Sequence, residues 1–152
     1  MRRRFARLRS LSTAQWRVVL ASLVLVPAVQ VSLRARGFKR TAGALAVRSQ
    51  RMAVLTDAAV ARPAADAVGL VAGRSVIGAR CLGRSLVLWF LLRRRGIDAE
   101  LVIGAAMPRG GELPAHAWVE VAGEPVNDTS DVRERFGAFD LQLPRLEEEG
   151  RT

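Results

Sequence analysis

The hydrophobic period of this chain changes at Gly96, and that change limits its architecture more than any other feature. Before it, Leu82, Leu86, Trp89, Phe90 and Leu92 or Arg93 recur at helical spacing, Arg93-Arg94-Arg95 fill the last turn and Gly96 supplies a C-cap. The spacing predicts a helix over 82–95. Beyond Asp98 the pattern is extended: 99–105 reads as a strand, Pro108 to Gly111 as a hairpin turn, 115–122 as a second strand and 124–128 as the start of a third. A helix followed by an antiparallel meander defines an α+β core. Within the second strand, alternation puts His116, Trp118 and Glu120 on one face and Ala117, Val119 and Val121 on the other.

The chain ahead of this core reads as helical. Residues 1–17 are basic, Ser12 or Thr13 offers a cap, and Val18 to Leu33 is an uncharged apolar run. About sixteen residues at 1.5 Å each give roughly 24 Å, short of the roughly 30 Å of bilayer hydrocarbon, and Pro27 and Gln30 weigh further against a spanning helix. A signal peptide would need a small-residue cleavage site before Arg34, and none is convincing. A membrane-surface helix would set Arg2, Arg3, Arg4, Arg7 and Arg9 against anionic lipid. The favoured reading is a core or partner-facing helix. Gly37 is placed to end it, a second helical stretch runs from Lys39 to about Val60, a break falls at Arg62-Pro63, and a third helix over 64–77 stops at Gly78. The expected organisation is a basic helical region over 1–60, a catalytic core over 61–145 and an acidic, solvated tail over 146–152, all in one structural unit.

The net charge of +10 is segregated along the chain. Residues 1–56 hold twelve Lys/Arg and no Asp/Glu, whereas 57–152 hold twelve against fourteen. Few aromatics accompany the basic part and no nucleic-acid motif occurs in it, so nucleic acid is not an expected partner. A single cysteine can form neither an internal disulfide nor a cysteine zinc site, which suits a reducing, cytoplasmic setting or a reactive thiol. Membrane association through the basic helices stays open as an alternative.

That cysteine, Cys81, stands at the mouth of the 82–95 helix; the only histidine, His116, follows on the second strand, and Asp128 lies beyond it. A thiol, an imidazole and a carboxylate in this order are the parts of a nucleophile, its general base and the group that orients the base. The positive end of a helix lowers a thiol pKa and improves the nucleophile. Each residue alone has a duller reading: a buried core cysteine, a structural histidine, a turn-forming aspartate. Arg84 and Ser85, on the first turn after the nucleophile, are candidates for substrate contact, with a helix-surface arginine and a packing serine at least as good a reading; Trp118 is a candidate wall of the site, with a core aromatic the favoured role. The joint arrangement is what carries the chemistry.

Three blocks, Ala79-Arg80-Cys81-Leu82-Gly83-Arg84-Ser85-Leu86, Leu91 to Gly104, and Ala115-His116-Ala117-Trp118-Val119-Glu120-Val121, resemble the transglutaminase-like leader peptidases of lasso-peptide biosynthesis over about residues 60 to 130. The resemblance implies a transglutaminase/papain-like core with Cys81 as nucleophile, His116 as base and Asp128 as third member, Asp131 being the rival for that last place. It implies removal of the leader from a ribosomally made precursor peptide through a thioester, for use by an asparagine-synthetase-like cyclase. Some members of that family carry their own leader-recognition domain. The first 60 residues here read as helix only, which implies the split form served by a separate leader-recognition protein. The cleavage chemistry calls for no cofactor or metal, and a nucleotide requirement cannot be read from these residues. A transglutaminase-type acyl transfer, or a non-catalytic membrane-associated or peptide-binding adaptor, are the competing readings.

Overall fold

The computed structural model describes residues 12–49, 55–72, 80–106 and 114–139. The basic residues 1–11, the Gly78 helix stop, the hairpin turn at 108–111 and the acidic tail lie outside them. Among the described residues the chain forms α1 (Thr13–Arg48), α2 (Ala58–Ala72), α3 (Arg80–Arg93), β1 (Ala99–Ala105), β2 (Ala115–Val121), β3 (Glu124–Pro125), α4 (Val132–Arg135) and β4 (Gly137–Phe139). Helices come first and a four-stranded sheet of order β3-β2-β1-β4 follows, each neighbouring pair antiparallel. This is the α+β arrangement that the change of period at Gly96 predicts.

The start of α1 is fixed by a reciprocal cap: Ser12 Oγ accepts from the Gln15 N–H at 3.2 Å, and Gln15 Oε1 accepts from the Ser12 N–H at 2.8 Å. Gly37 breaks the helix with φ 76° and ψ 177°, a conformation open to glycine and strained for other residues. The bend brings Ser32 Oγ within 2.9 Å of Thr41 Oγ1, which itself donates to the Gly37 carbonyl. The arm before Gly37 is longer than the uncharged run suggests, because helical geometry continues through Arg34 and Arg36. By length and composition it could cross a membrane, yet a third of its most apolar stretch is buried inside the protein.

Two sequence expectations for the helices are corrected. The second stretch ends at Arg48 rather than near Val60. The break expected at Arg62-Pro63 is absent, since Pro63 lies inside α2. It sits close to the start of that helix, where a missing N–H forfeits one bond, and burial of Ala61, Ala64, Ala65, Ala67 and Val68 outweighs that loss. The third helix therefore begins earlier than 64; its described part runs to Ala72, and the rest of the expected span lies outside the described residues.

Helix α3 occupies the middle of the molecule. Leu86, Val87, Leu88 and Leu92 are fully buried and share one core with Val18, Val26 and Val29 of α1, Ala61 and Val68 of α2, and Leu101, Val119 and Val121 of the sheet. The core thus spans the helices and one sheet face. Gly96, at φ 77°, ends the helix as its position predicts. The chain then turns directly into β1, and Ile97 forms a parallel bridge to Leu55. Strand β1 pairs with β2 in the register Ala99↔Val121, Leu101↔Val119 and Gly104↔His116. Strand β4, on the far edge beside β1, has no counterpart in the sequence reading.

Candidate functional site

Cys81 is the second residue of α3, a half-buried free thiol in the first turn of a fourteen-residue helix. Four residues on, and so on the same helical face, Ser85 is fully buried. Its hydroxyl donates to the carbonyl of Ala117 at 2.8 Å and accepts from Asn127 Nδ2 at 2.9 Å, while Asn127 Oδ1 takes the N–H of Val119 at 2.8 Å. Arg84 adds a 3.3 Å bond to the Asn127 carbonyl. Ser85 and Asn127 therefore tie together the three segments that carry Cys81, His116 and Asp128, gripping each within a few residues of the candidate.

His116 and Asp128 are in direct contact, with Nε2 2.6 Å from Oδ2. The other carboxylate oxygen receives the Thr129 N–H at 2.9 Å and Arg135 Nη2 at 3.0 Å. Burial pushes the Asp128 pKa upward, but the hydrogen bonds from His116, the Thr129 backbone and Arg135, together with the charge of His116, outweigh it and hold the carboxyl below its ordinary value. With Nε2 committed to Asp128, Nδ1 is the ring nitrogen left for a reacting group. Asp131 is engaged elsewhere: its carboxylate accepts from Thr129 Oγ1 and pairs with Arg135 Nε at 3.2 Å, and its side chain is half exposed. The carboxylate that reaches His116 is that of Asp128. Among the described residues no hydrogen bond joins the Cys81 thiol to the imidazole, so direct contact holds two of the three candidates and the Ser85–Asn127 bonds link the third.

The imidazole sits between two aromatic rings. Trp118 stacks at 6.1 Å between centroids and Phe136 lies at 4.9 Å. Trp118 has no exposed surface, and a Cβ on the facing Gly104 would come within 3.0 Å of its ring and 2.8 Å of the Gly137 carbonyl. Behind it, Glu120 is an almost fully buried carboxylate. It accepts from Trp118 Nε1 at 2.6 Å and from Arg133 Nε at 2.7 Å, and its second oxygen is bound by Arg133 Nη2. The register sets Glu120 opposite Glu100, and both acids raise the Arg133 pKa, the hydrogen bond to Glu120 contributing most. This pairing fastens α4 to β2. Arg135 and Phe136, two and three residues beyond Arg133, are thereby set around the His116–Asp128 pair.

Alternation within β2 follows the sequence: Ala117, Val119 and Val121 are buried, the two valines in the core with α3, while His116, Trp118 and Glu120 contact one another and the segment 128–136. The sequence reading weighed Ser85 and left it out of the catalytic set, and it missed Asn127, Arg133, Arg135 and Phe136 as parts of the site. Of these, only Asn127 carried a signal, as an amide beside the candidate aspartate. Trp118 is a buried core aromatic and a wall of the imidazole at once.

The arrangement is that of a hydrogen-bonded His–Asp pair on a sheet, tied to the N-terminal turn of a helix that bears a thiol. Comparison with known proteins places the chain in a family. The chain is similar to the microcin J25-processing protein McjB of Escherichia coli, with 30% identity over 92 residues, which cover 60% of this chain and 43% of that protein. The match spans less than half of the relative's length. No solved structure matches the chain significantly. A family model described as the transglutaminase-like superfamily matches residues 22–139, taking in every described helix and strand but the first turns of α1, and by that match the chain belongs to the transglutaminase-like superfamily.

Proposed function

We propose that this chain is a cysteine peptidase that removes the leader from a ribosomally synthesised lasso-peptide precursor, with Cys81, His116 and Asp128 as its catalytic residues. The 2.6 Å bond between His116 Nε2 and Asp128 is the observation that carries the reading. It orients the ring so that Nδ1 serves as base, and it places a carboxylate where an imidazolium would need one. Similarity to a protein named for processing a microcin, together with membership of the transglutaminase-like superfamily, supports the substrate class.

In this mechanism Nδ1 of His116 takes the thiol proton and Cys81 Sγ attacks the scissile carbonyl carbon. The tetrahedral oxyanion is met by the backbone N–H of Cys81 at the start of α3. Collapse breaks the C–N bond, the proton on Nδ1 passes to the departing amine, and the leader is left as a thioester on Cys81. Water, deprotonated by the same nitrogen, then releases the leader acid and restores the thiol. Asp128 keeps Nε2 protonated throughout. The leader would be presented by a separate recognition protein and the cleaved peptide passed to a cyclase.

The test is cleavage of a precursor peptide by the purified chain together with its recognition protein. Cys81→Ala and His116→Ala should abolish cleavage with the fold retained, and Asp128→Asn should lower turnover by at least about a hundredfold, with Asp131→Asn near wild type. Normal cleavage by Cys81→Ala would refute the reading. Addition of a primary amine separates hydrolysis from transfer, since an amine-bearing product would assign the chain to transglutaminase-type chemistry.

A further inference from the structure

The outward side of α1 is an unpartnered apolar stripe. Trp16, Leu20, Leu23, Val24 and Val31 are 42–68% exposed. Their spacing places them on one side of the helix, over roughly 22 Å at 1.5 Å per residue. The opposite side of the same arm, Val18, Val19, Ser22, Val26, Val29 and Gln30, is buried against the rest of the protein. Charge brackets the stripe and is of one sign. Arg17 adjoins Trp16, and Arg34, Arg36, Lys39 and Arg40 follow Val31, all of them exposed. The first acidic residue of the chain is Asp57. Beside the stripe, Pro27, Ala28 and Ala35 are also exposed and extend the apolar surface of the helix.

We infer that this face of α1 docks on an anionic lipid surface, with the stripe lying in the plane of the interface. Apolar residues enter the acyl boundary, Trp16 sits at headgroup depth, and the arginines at both ends meet lipid phosphates. The alternatives fit less well. A second copy of this chain laid on the stripe would bring Arg17 and Arg34 against cations with no acid to offset them. A nucleic acid would meet a long apolar surface between its cationic contacts. A spanning helix would tear Ser22 and Gln30 out of the protein interior and into hydrocarbon. Docking has a consequence for the candidate site. Gly83, two residues after Cys81, packs on Gln30 and Leu33 of α1, so the start of α3 lies one helix spacing, about 10 Å, from the docked helix.

Flotation of the full-length chain with vesicles tests this, comparing pure phosphatidylcholine with a phosphatidylcholine–phosphatidylglycerol mixture. The chain should bind the anionic vesicles, and sodium carbonate should strip it from them. Leu20→Ser with Val24→Ser should weaken binding at least tenfold. Arg34→Gln with Arg36→Gln should weaken it comparably and flatten its salt dependence. All four positions are exposed, so unchanged thermal melts will show that the variants are folded. Equal binding to both vesicle types, binding untouched by the stripe variants, carbonate-resistant insertion, or loss of lipid binding only when nucleic acid competes would each overturn the inference. Cleavage of precursor in detergent-free solution, without vesicles, reads the peptidase assignment separately, so either proposal can fail alone.

Discussion

Asn127→Ala is the most informative single change in this chain, because one amide spans three segments. Its Oδ1 accepts the N–H of the fully buried Val119, and its Nδ2 donates to the buried Ser85 hydroxyl. Truncation orphans the Val119 donor in a place water reaches poorly, a loss of about 1–3 kcal/mol. Ser85 keeps its bond to Ala117 and loses only one donor, about 0.5–1.5 kcal/mol more. The sum is about 1.5–4.5 kcal/mol, which for a chain of this size is a fall in Tm of about 3–18 °C. Asn127→Asp separates the parts: a carboxylate still accepts from Val119 but has no proton for Ser85, so it should lose about a third as much. Urea denaturation followed by far-UV circular dichroism measures the energies, and the rate of iodoacetamide labelling at Cys81 reports whether the start of α3 has lost its place. The expected order of stability is wild type, Asn127→Asp, Asn127→Ala, with labelling altered most in the last. If Asn127→Ala costs under about 0.5 kcal/mol, or if the two variants are equal, the amide does not join these segments and the reasoning fails.

Three further outcomes follow from the same geometry. Gly104→Ala should destabilise by about 1–3 kcal/mol, because its Cβ would meet the Gly137 carbonyl at 2.8 Å and the Trp118 ring, while Gly137→Ala, whose nearest contact is 3.7 Å, should be tolerated in the same thermal melt. Arg133→Met should leave the Glu120 carboxylate buried beside Trp118 without its cation; a loss of about 3–5 kcal/mol is the ceiling for a buried pair, reduced here because Arg133 is half exposed, and no loss at all would refute the anchoring of α4. Asp128 has a depressed pKa in the folded chain, so its stabilising contribution is complete above its unfolded value of about 4 and is lost as pH falls through the lower folded value. The stability gap between wild type and Asp128→Asn, followed by urea denaturation from pH 6 downward, should therefore be constant at first and then narrow on acidification; a gap that widens would contradict the sign.

The fold was legible where a local signal and the tertiary outcome coincide. Gly96 ends a helix by its own backbone freedom and is followed at once by alternating residues, so α3, β1 and β2 could be placed to within a few positions. Strand β4 could not, because Gly137-Ala138-Phe139 has no alternation to read and pairs only since the edge of β1 is there to receive it. Pro63 misled for the opposite reason: a strong local breaker was overridden by the burial of the alanines around it. In the candidate site, His116 and Asp128 stood out in the sequence as a lone imidazole followed by a carboxylate, and a short turn brings the two together. Ser85 and Asn127 looked like any helix serine and any turn amide. Their importance lies in what they touch across 42 residues of chain, and no local pattern encodes that. The same holds for Arg133 and Arg135, two of many surface arginines until Glu120 and Asp128 are seen beside them.

The covering of α1 also has a consequence in time. Its inner face rests on α2 and α3, whose residues follow the end of the first arm at Gly37 by about twenty to fifty positions, and a translating ribosome needs roughly 1–10 s to make that much chain. Until those helices arrive the nascent helix lacks the partners of its inner side, and it is uncharged from Val18 to Leu33 and preceded by arginines. Whatever waits near the tunnel exit, chaperone or bilayer, meets the whole cylinder before the domain can claim half of it. The order of synthesis thus gives the outer stripe a head start on its partner, and slowing translation between residues 37 and 80 would lengthen it.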